Sequence, residues 1–250
     1  MKDFLIIIPA YNEQERIGAV LDALTVPEIG AWADVLVMND ASSDDTGRVV
    51  RSHGVNQVTH VYNLGYGGGL QVGYKYAVRR GYKYVIQMDA DGQHDVCNVP
   101  ALMRALTTPG KAGRCPDIVL GSRFLEGSSS FPLGGAKKAA IHYFRFLIRL
   151  FTGRRISDPT TGLQGLSRRA FLLYSQFNQF DDRYPATNVI IRMLLLGYEV
   201  REIPAIMHPR TGGQSMHSGL KPVLYMIRMT LSILSTWIRN RVLKIDRGID

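Results

Sequence analysis

The sequence predicts an α/β fold in which a mostly parallel sheet carries helices on both faces. Through the first 125 residues, short apolar runs alternate with segments of helical spacing, the pattern of a parallel sheet wound with helices. Four of those runs are followed at once by a polar cluster. Ligands of such sheets bind beyond the carboxyl ends of the strands, so the clusters mark a site as well as a fold.

Phe4 to Ile8 reads as a strand buried on both faces, and Glu13 to Leu24 follows with helical spacing. Val35 to Met38 is a second strand, followed by a helix from Asp44 to Ser52 with Ser42 or Ser43 as its cap. Val58 to Tyr62 is a third strand and Gly69 to Arg80 a helix. Tyr84 to Met88 is a fourth strand and Ile118 to Leu120 a fifth. The polar clusters are Pro9 to Glu13, Asn39-Asp40, Asn63 to Gly69 and Asp89-Ala90-Asp91. The second half is less regular. Ala136 to Phe151, Arg168 to Tyr174 and Pro185 to Leu196 read as helices, Asp158 to Gly162 as a loop and Glu199 to Ile203 as a last strand. A Gly/Ser loop, Thr211 to Gly219, leads into a long helix from about Lys221 to Lys244.

At 250 residues, 46 % apolar and 20 % charged, the composition is globular and excludes a disordered chain, a collagen or a rod. Cys97 and Cys115 cannot build a disulfide framework or a structural zinc site. The apolar run at the N-terminus is too short for a signal peptide, which predicts a cytoplasmic chain. The net charge of +9 calls for a polyanionic partner. Six Lys/Arg and no acid lie between Lys137 and Arg155, and another six without an acid between Arg210 and Lys244. Those twelve exceed the whole net charge, so the excess is confined to two stretches. No nucleic-acid recognition motif accompanies them, and nucleic acid is not an expected partner.

Asp89 and Asp91, two carboxylates on one turn after a buried strand, can converge on a hard cation, with Gln93 as a further oxygen ligand. Magnesium or manganese suits such a set, because it leaves room for a diphosphate. Asp40 closes the second strand and can accept from a base N–H or a ribose hydroxyl, or cap the next helix. The segment Asn63 to Gly69 satisfies neither the dinucleotide fingerprint nor the Walker pattern. Its glycines allow a close backbone approach to a ligand or form a tight turn.

Six motifs occur in order: Ile8-Pro-Ala-Tyr-Asn-Glu13, Asn39-Asp40 with its Ser/Asp tail, Asp89-Ala-Asp-Gly-Gln93, Gly121-Ser-Arg123, Asp158-Pro-Thr-Thr-Gly162 and Arg210-Thr-Gly-Gly-Gln-Ser215. Together they resemble the family 2 glycosyltransferases of GT-A fold, in particular the polyprenyl-phosphate glycosyltransferases that include dolichol-phosphate mannose synthase, and within these a short bacterial branch. The resemblance implies a glycosyltransferase domain over residues 1–215, with a nucleotide-binding half to 125 and an acceptor half beyond it, and a basic amphipathic helix over 216–250. It implies that Pro9, Tyr11, Glu13 and Asp40 hold the nucleotide, that Asp89, Asp91 and Gln93 bind Mg²⁺ or Mn²⁺, and that Arg123, Arg210 and Ser215 contact the donor phosphates. Asp158 matches the acidic residue near the acceptor, with Asp181-Asp182 the rival base. Where the family usually has Lys after the Ser, this chain has Met216; His217 or Lys221 are the candidates to replace it.

The implied reaction is metal-dependent, inverting transfer of a sugar from a nucleotide donor to a polyprenyl phosphate, in cell-surface glycan synthesis. The alternatives are a saccharide hydroxyl as acceptor, or a nucleotide-binding protein without turnover. A lipid acceptor gives the basic stretches a purpose. Ile141, Phe144, Leu147, Ile148 and Phe151 share one face of the first basic helix. Val223, Leu224, Ile227, Leu231, Leu234 and Ile238 share one face of the last, with Tyr225 and Trp237 suited to headgroup depth. The longest uncharged run of that helix, Met229 to Ile238, is too short to span a bilayer. Peripheral attachment to an anionic membrane surface on its cytoplasmic face is therefore expected, with a small integral-membrane protein as a possible partner.

Overall fold

The computed structural model describes residues 2–110, 113–181, 185–209 and 221–243, the last from residue 225 for side chains. Among these, seven strands form one sheet in the order β3-β2-β1-β4-β6-β5-β7. They are β1 (Phe4–Ala10), β2 (Ala33–Asn39), β3 (Asn56–Thr59), β4 (Tyr84–Gln87), β5 (Ile118–Ser122), β6 (Gln164–Ser167) and β7 (Val200–Pro204). The helices are α1 (Ile17–Leu24), α2 (Pro27–Gly30), α3 (Thr46–Ser52), α4 (Gly65–Arg80), α5 (Asn98–Thr107), α6 (Gly135–Thr152), α7 (Arg168–Ser175), α8 (Thr187–Leu195) and α9 (Lys221–Trp237). A π-helical turn, Ile238–Val242, continues α9. Every strand but β6 runs the same way; β6 is antiparallel to both β4 and β5. The carboxyl ends of six strands therefore share one edge.

Alternation along β1 divides the core. Leu5 and Ile7 face a cluster built with α4, α6, α7, α8 and α9, while Phe4, Ile6 and Ile8 face one built with α1, α3 and α5. Each fully buried aliphatic side chain contributes about 1.5–3 kcal/mol through removal from water. Gly73 lets α4 lie close on the sheet. A Cβ there would stand 3.0 Å from Met38 Sδ and 3.2 Å from Ile7 Cδ1.

Several expectations need correction. The third strand ends at Thr59, not Tyr62, and Val61 and Tyr62 are exposed. Neither Ser42 nor Ser43 caps α3. Ser42 Oγ accepts from Asn12 N, and Asp44 Oδ1 accepts from Thr46 N at 2.9 Å at the start of that helix. The glycine-rich segment is not a loop: from Gly65 it is the first turn of α4. Three elements lie outside those expectations: the short α2, α5 and β6. On α6 the expected apolar face is core, since Ile141, Phe144, Leu147 and Ile148 are buried. Tyr225 and Trp237 do not project from α9 as headgroup anchors; their rings pack on Phe144 and Phe151 of α6. Ile227, Leu231, Leu234 and Ile238 are exposed instead. Among the described residues no helix is long and apolar enough to cross a membrane.

Candidate active site

Strand β4 delivers Asp89 to the shared edge, where a buried relay holds its carboxylate. Tyr74 Oη donates to Gln87 Oε1 at 2.6 Å, Gln87 Nε2 donates to Tyr66 Oη at 3.1 Å and to Gly162 O at 2.9 Å, and Tyr66 Oη donates to Asp89 Oδ1 at 2.9 Å. Burial, together with the Asp89 charge, pushes the Tyr66 phenol well above its ordinary pKa, so it keeps its proton and acts as donor. The backbone N–H of Asp89 donates to His94 Nδ1 at 3.1 Å. That nitrogen is therefore unprotonated and the ring proton sits on Nε2, 3.7 Å from Asp89 Oδ2.

Asp91 Oδ1 accepts from Gln93 N at 3.1 Å, which closes the acidic turn. Gln93 O in turn accepts from His208 N at 2.8 Å, and His208 Nε2 meets Asp95 Oδ2 at 2.7 Å. The segment after β7 is thus laced to the turn that carries the carboxylates. Arg210 and Ser215, and with them Met216, His217 and Asp182, lie outside the described residues.

The donor set fits a hard divalent cation. Asp89, Asp91 and Gln93 offer oxygen, and Gly162 keeps the approach to Asp89 open, because a Cβ there would lie 2.7 Å from Asp89 Oδ2. Among the described residues no three His, Cys, Asp or Glu side chains close into a cage. Such a set suits an ion that keeps coordination positions for water and a diphosphate.

Asp40 at the end of β2 is buried and already employed. Its Oδ1 accepts from Leu64 N at 2.7 Å and meets His60 Nδ1 at 2.8 Å, while Oδ2 accepts from Gly65 N at 2.9 Å. A carboxylate at the N-terminus of α4 satisfies N–H groups that have no partner within the helix and favours the dipole. Asp40 therefore pins the glycine-rich helix to the sheet edge. Beside it, His60 Nε2 is buried with no hydrogen-bond partner among the described residues. Pro9, one residue before the end of β1, lies next to Gly69, whose missing Cβ would stand 3.8 Å from Pro9 Cβ. Tyr11 is half exposed, and Glu13 Oε2 accepts from Arg16 Nε at 2.6 Å. The loops after β1 and β2 are joined through Asn12, whose Oδ1 accepts from Ser43 N at 2.9 Å.

After β5, Arg123 and Asp158 meet in a bidentate pair, Nε to Oδ2 and Nη2 to Oδ1, both at 2.7 Å, and Arg123 N adds a third bond at 3.1 Å. Asp158 has 0 % exposure. Its backbone N–H donates to Glu202 Oε1 at 2.9 Å. This geometry does not present Asp158 as an accessible base; both its oxygens hold Arg123. The rival Asp181 accepts from Asn188 Nδ2 at 2.7 Å. The sequence does not show that Tyr66, His94 and Gly162, the last residue of the fifth motif, lie against Asp89, because nothing in the local pattern carries that contact.

The family model described as Glycosyl transferase family 2 matches residues 5–173. The chain belongs to that family. The glycosyltransferase is 30 % identical over 224 residues to the undecaprenyl-phosphate mannosyltransferase of Micrococcus luteus, covering 86 % of this chain and 87 % of the relative. It is 28 % identical over 253 residues to the polyprenol monophosphomannose synthase of Mycolicibacterium smegmatis, with 95 % and 88 % covered. Among solved structures, it resembles glucosyl-3-phosphoglycerate synthase from Mycobacterium tuberculosis in complex with Mn²⁺ and UDP-glucose, at a TM-score of 0.64 and 21 % identity, covering 94 % and 79 %. That likeness bears on the fold, which is of the GT-A type in this glycosyltransferase as well.

Proposed function

We propose that the enzyme transfers a sugar from a nucleotide-sugar donor to a polyprenyl phosphate, with inversion at the anomeric carbon, on the cytoplasmic face of a membrane and in the synthesis of cell-surface glycans. The observation that carries this reading is the convergence of the Asp89-Ala-Asp91 turn, Asp40 and Arg123 on one sheet edge, in a chain whose relatives are named for sugar transfer to polyprenyl phosphates.

In this reading Asp89, Asp91 and Gln93 would hold a magnesium or manganese ion, and the chemistry it would supply there is electrostatic stabilisation of a diphosphate leaving group. Tyr66 keeps Asp89 Oδ1 engaged and leaves Oδ2 facing the space that Gly162 keeps clear. Pro9, Tyr11, Glu13 and Asp40 line the nucleotide, and His60 Nε2 offers it one more polar contact. Arg123, aimed by Asp158, stabilises phosphate charge, joined by Arg210 and Ser215. Groups fixed before the reaction stabilise the transition state without reorganising. The second ionisation of a phosphate monoester lies near pH 6, about a unit below neutrality. The attacking oxygen is then already anionic, so the reaction needs no general base, and Asp158 acts by aiming Arg123. The basic α6 and α9 would hold the enzyme peripherally on an anionic bilayer, and a small integral-membrane protein is a further candidate partner.

The test is transfer from labelled nucleotide sugars to a polyprenyl phosphate or to a saccharide acceptor, with Mn²⁺ or Mg²⁺ present. Product on the lipid phosphate is expected. Product on the saccharide alone would replace the acceptor and keep the chemistry, whereas no metal-dependent product with any donor would favour a binding protein without turnover.

A further inference from the structure

Arg145, Phe146 and Arg149 of α6, with Arg155 and Ile156 from the segment after it, line an open cleft of about 390 Å³. Arg145 is held in place there. Its Nε donates to Ser157 O at 2.6 Å, its guanidinium lies 4.4 Å from the centroid of the Phe124 ring, and its Nη2 is buried with no acceptor among the described residues. Among the described residues no carboxylate lies within 4.0 Å of any of the three arginines. The neighbouring acids are engaged elsewhere: Glu199 pairs with Arg154 at 3.5 Å, and Glu202 accepts from Ser157 and Asp158. Three guanidinium groups around one cleft repel each other, and an anion with several acceptor oxygens relieves that repulsion. Arginine forks match phosphate oxygens in pairs.

The rim of the cleft is apolar. Phe146 and Leu150, one turn apart on α6, are 59 % and 60 % exposed. Helix α9 lies alongside, joined to α6 by Tyr143 Oη to Thr230 Oγ1 at 3.0 Å and by Phe151 against Trp237, and it exposes Ile227, Leu231, Leu234 and Ile238. A second copy of the chain is a poor occupant, because a two-fold contact through this face would set the arginines of one copy near those of the other.

We propose that this cleft seats the phosphate headgroup of an anionic membrane lipid, with Phe146 and Leu150 entering the acyl boundary beside it. The inference rests on the peripheral-membrane reading above and adds to it a defined site, separate from Arg123 and the acidic turn. Phe124, between the Arg123 and Arg145 guanidinium groups at 5.6 and 4.4 Å, sets that site next to the catalytic edge. A headgroup bound there fixes which way the active site faces along the bilayer.

The test is co-sedimentation of the full chain with vesicles of phosphatidylcholine, with and without phosphatidylglycerol. The wild type is expected to pellet only with the anionic vesicles. Arg149→Gln/Arg155→Gln should weaken that binding roughly thirtyfold, about fivefold per charge. Arg79→Gln/Arg80→Gln, an equal loss of charge at the end of α4, should change it by less than about twofold. Arg155→Gln alone, at an exposed position, should show the single-charge effect. Equal losses for the two double variants would overturn the seat and leave the membrane reading standing. A wild type that does not distinguish the two vesicles would overturn both. Release by millimolar inorganic phosphate at matched ionic strength would mark a site for free phosphate and also overturn the seat.

Discussion

Arg123 and Asp158 share two parallel hydrogen bonds of 2.7 Å at a carboxylate shut away from solvent. A pair of this kind aims the arginine and makes each partner depend on the other. Asp158→Asn keeps the shape, but its amide nitrogen cannot accept from the guanidinium. The kcat should fall at least tenfold, with a stability loss of about 1.5–3 kcal/mol for the weakened charge-assisted bonds. Arg123→Ala strands a buried carboxylate and should cost about 3–5 kcal/mol in chemical denaturation. Wild-type kcat in Asp158→Asn would show that Arg123 needs no such support.

Tyr66→Phe removes the donor to Asp89 Oδ1 and one acceptor of Gln87 Nε2, which keeps Gly162 O as its other acceptor. The fold should lose about 1 kcal/mol. The Mn²⁺ concentration for half-maximal activity should rise about tenfold, the usual scale for losing a partner of a metal ligand. Direct titration of Mn²⁺ binding by electron paramagnetic resonance checks the same shift without turnover.

Gly162→Ala places a methyl group 2.7 Å from Asp89 Oδ2 and 3.2 Å from Tyr66 Oη. The expected outcome is a folded protein whose metal-dependent activity is lost and whose binding of metal-free nucleotide is kept. Calorimetric titration of a nucleoside diphosphate, with and without Mn²⁺, separates the two effects.

Cys97 is exposed, yet partial burial and the Asp95 carboxylate beside it push its thiol up to about 11. A raised thiol pKa means the neutral form persists through physiological pH, and at pH 8 only about one molecule in a thousand carries the reactive thiolate. Alkylation of Cys97 should be slow at pH 8 and accelerate as the pH approaches 11. Asp95→Asn should raise the rate at pH 8, and an unchanged rate would remove Asp95 as the cause.

The parts of the fold visible in the sequence are those where one signal dominates. The apolar runs of β1, β2 and β5 admit no reading but buried strands, and the acidic turn follows directly from where β4 must end. Strand β6 was invisible because Gln164-Gly-Leu-Ser167 has no apolar run. It is a strand because β4 and β5 flank it, and because Gly165 lets Leu106 of α5 approach to within 2.9 Å of where a Cβ would stand. The glycine run misled in the opposite sense. Glycine disfavours helix, but the Asp40 carboxylate, 24 and 25 residues away, anchors its first N–H groups. Motif order singled out Asp89, Asp91, Arg123 and Asp158. It could not show that two of them bond each other, or that Tyr66 reaches the first, because those relations are set by strand order.

The account stands on a divalent ion at the Asp89-Ala-Asp91 turn. Thermal unfolding with a nucleoside diphosphate, with and without Mn²⁺, tests it most directly, because a ligand at a hundred times its dissociation constant stabilises by about 2.7 kcal/mol. Wild-type enzyme should gain several degrees only when nucleotide and Mn²⁺ are both present, and Asp91→Asn should lose that joint increment. The same increment in wild type and in Asp91→Asn would place the ion, if any, elsewhere.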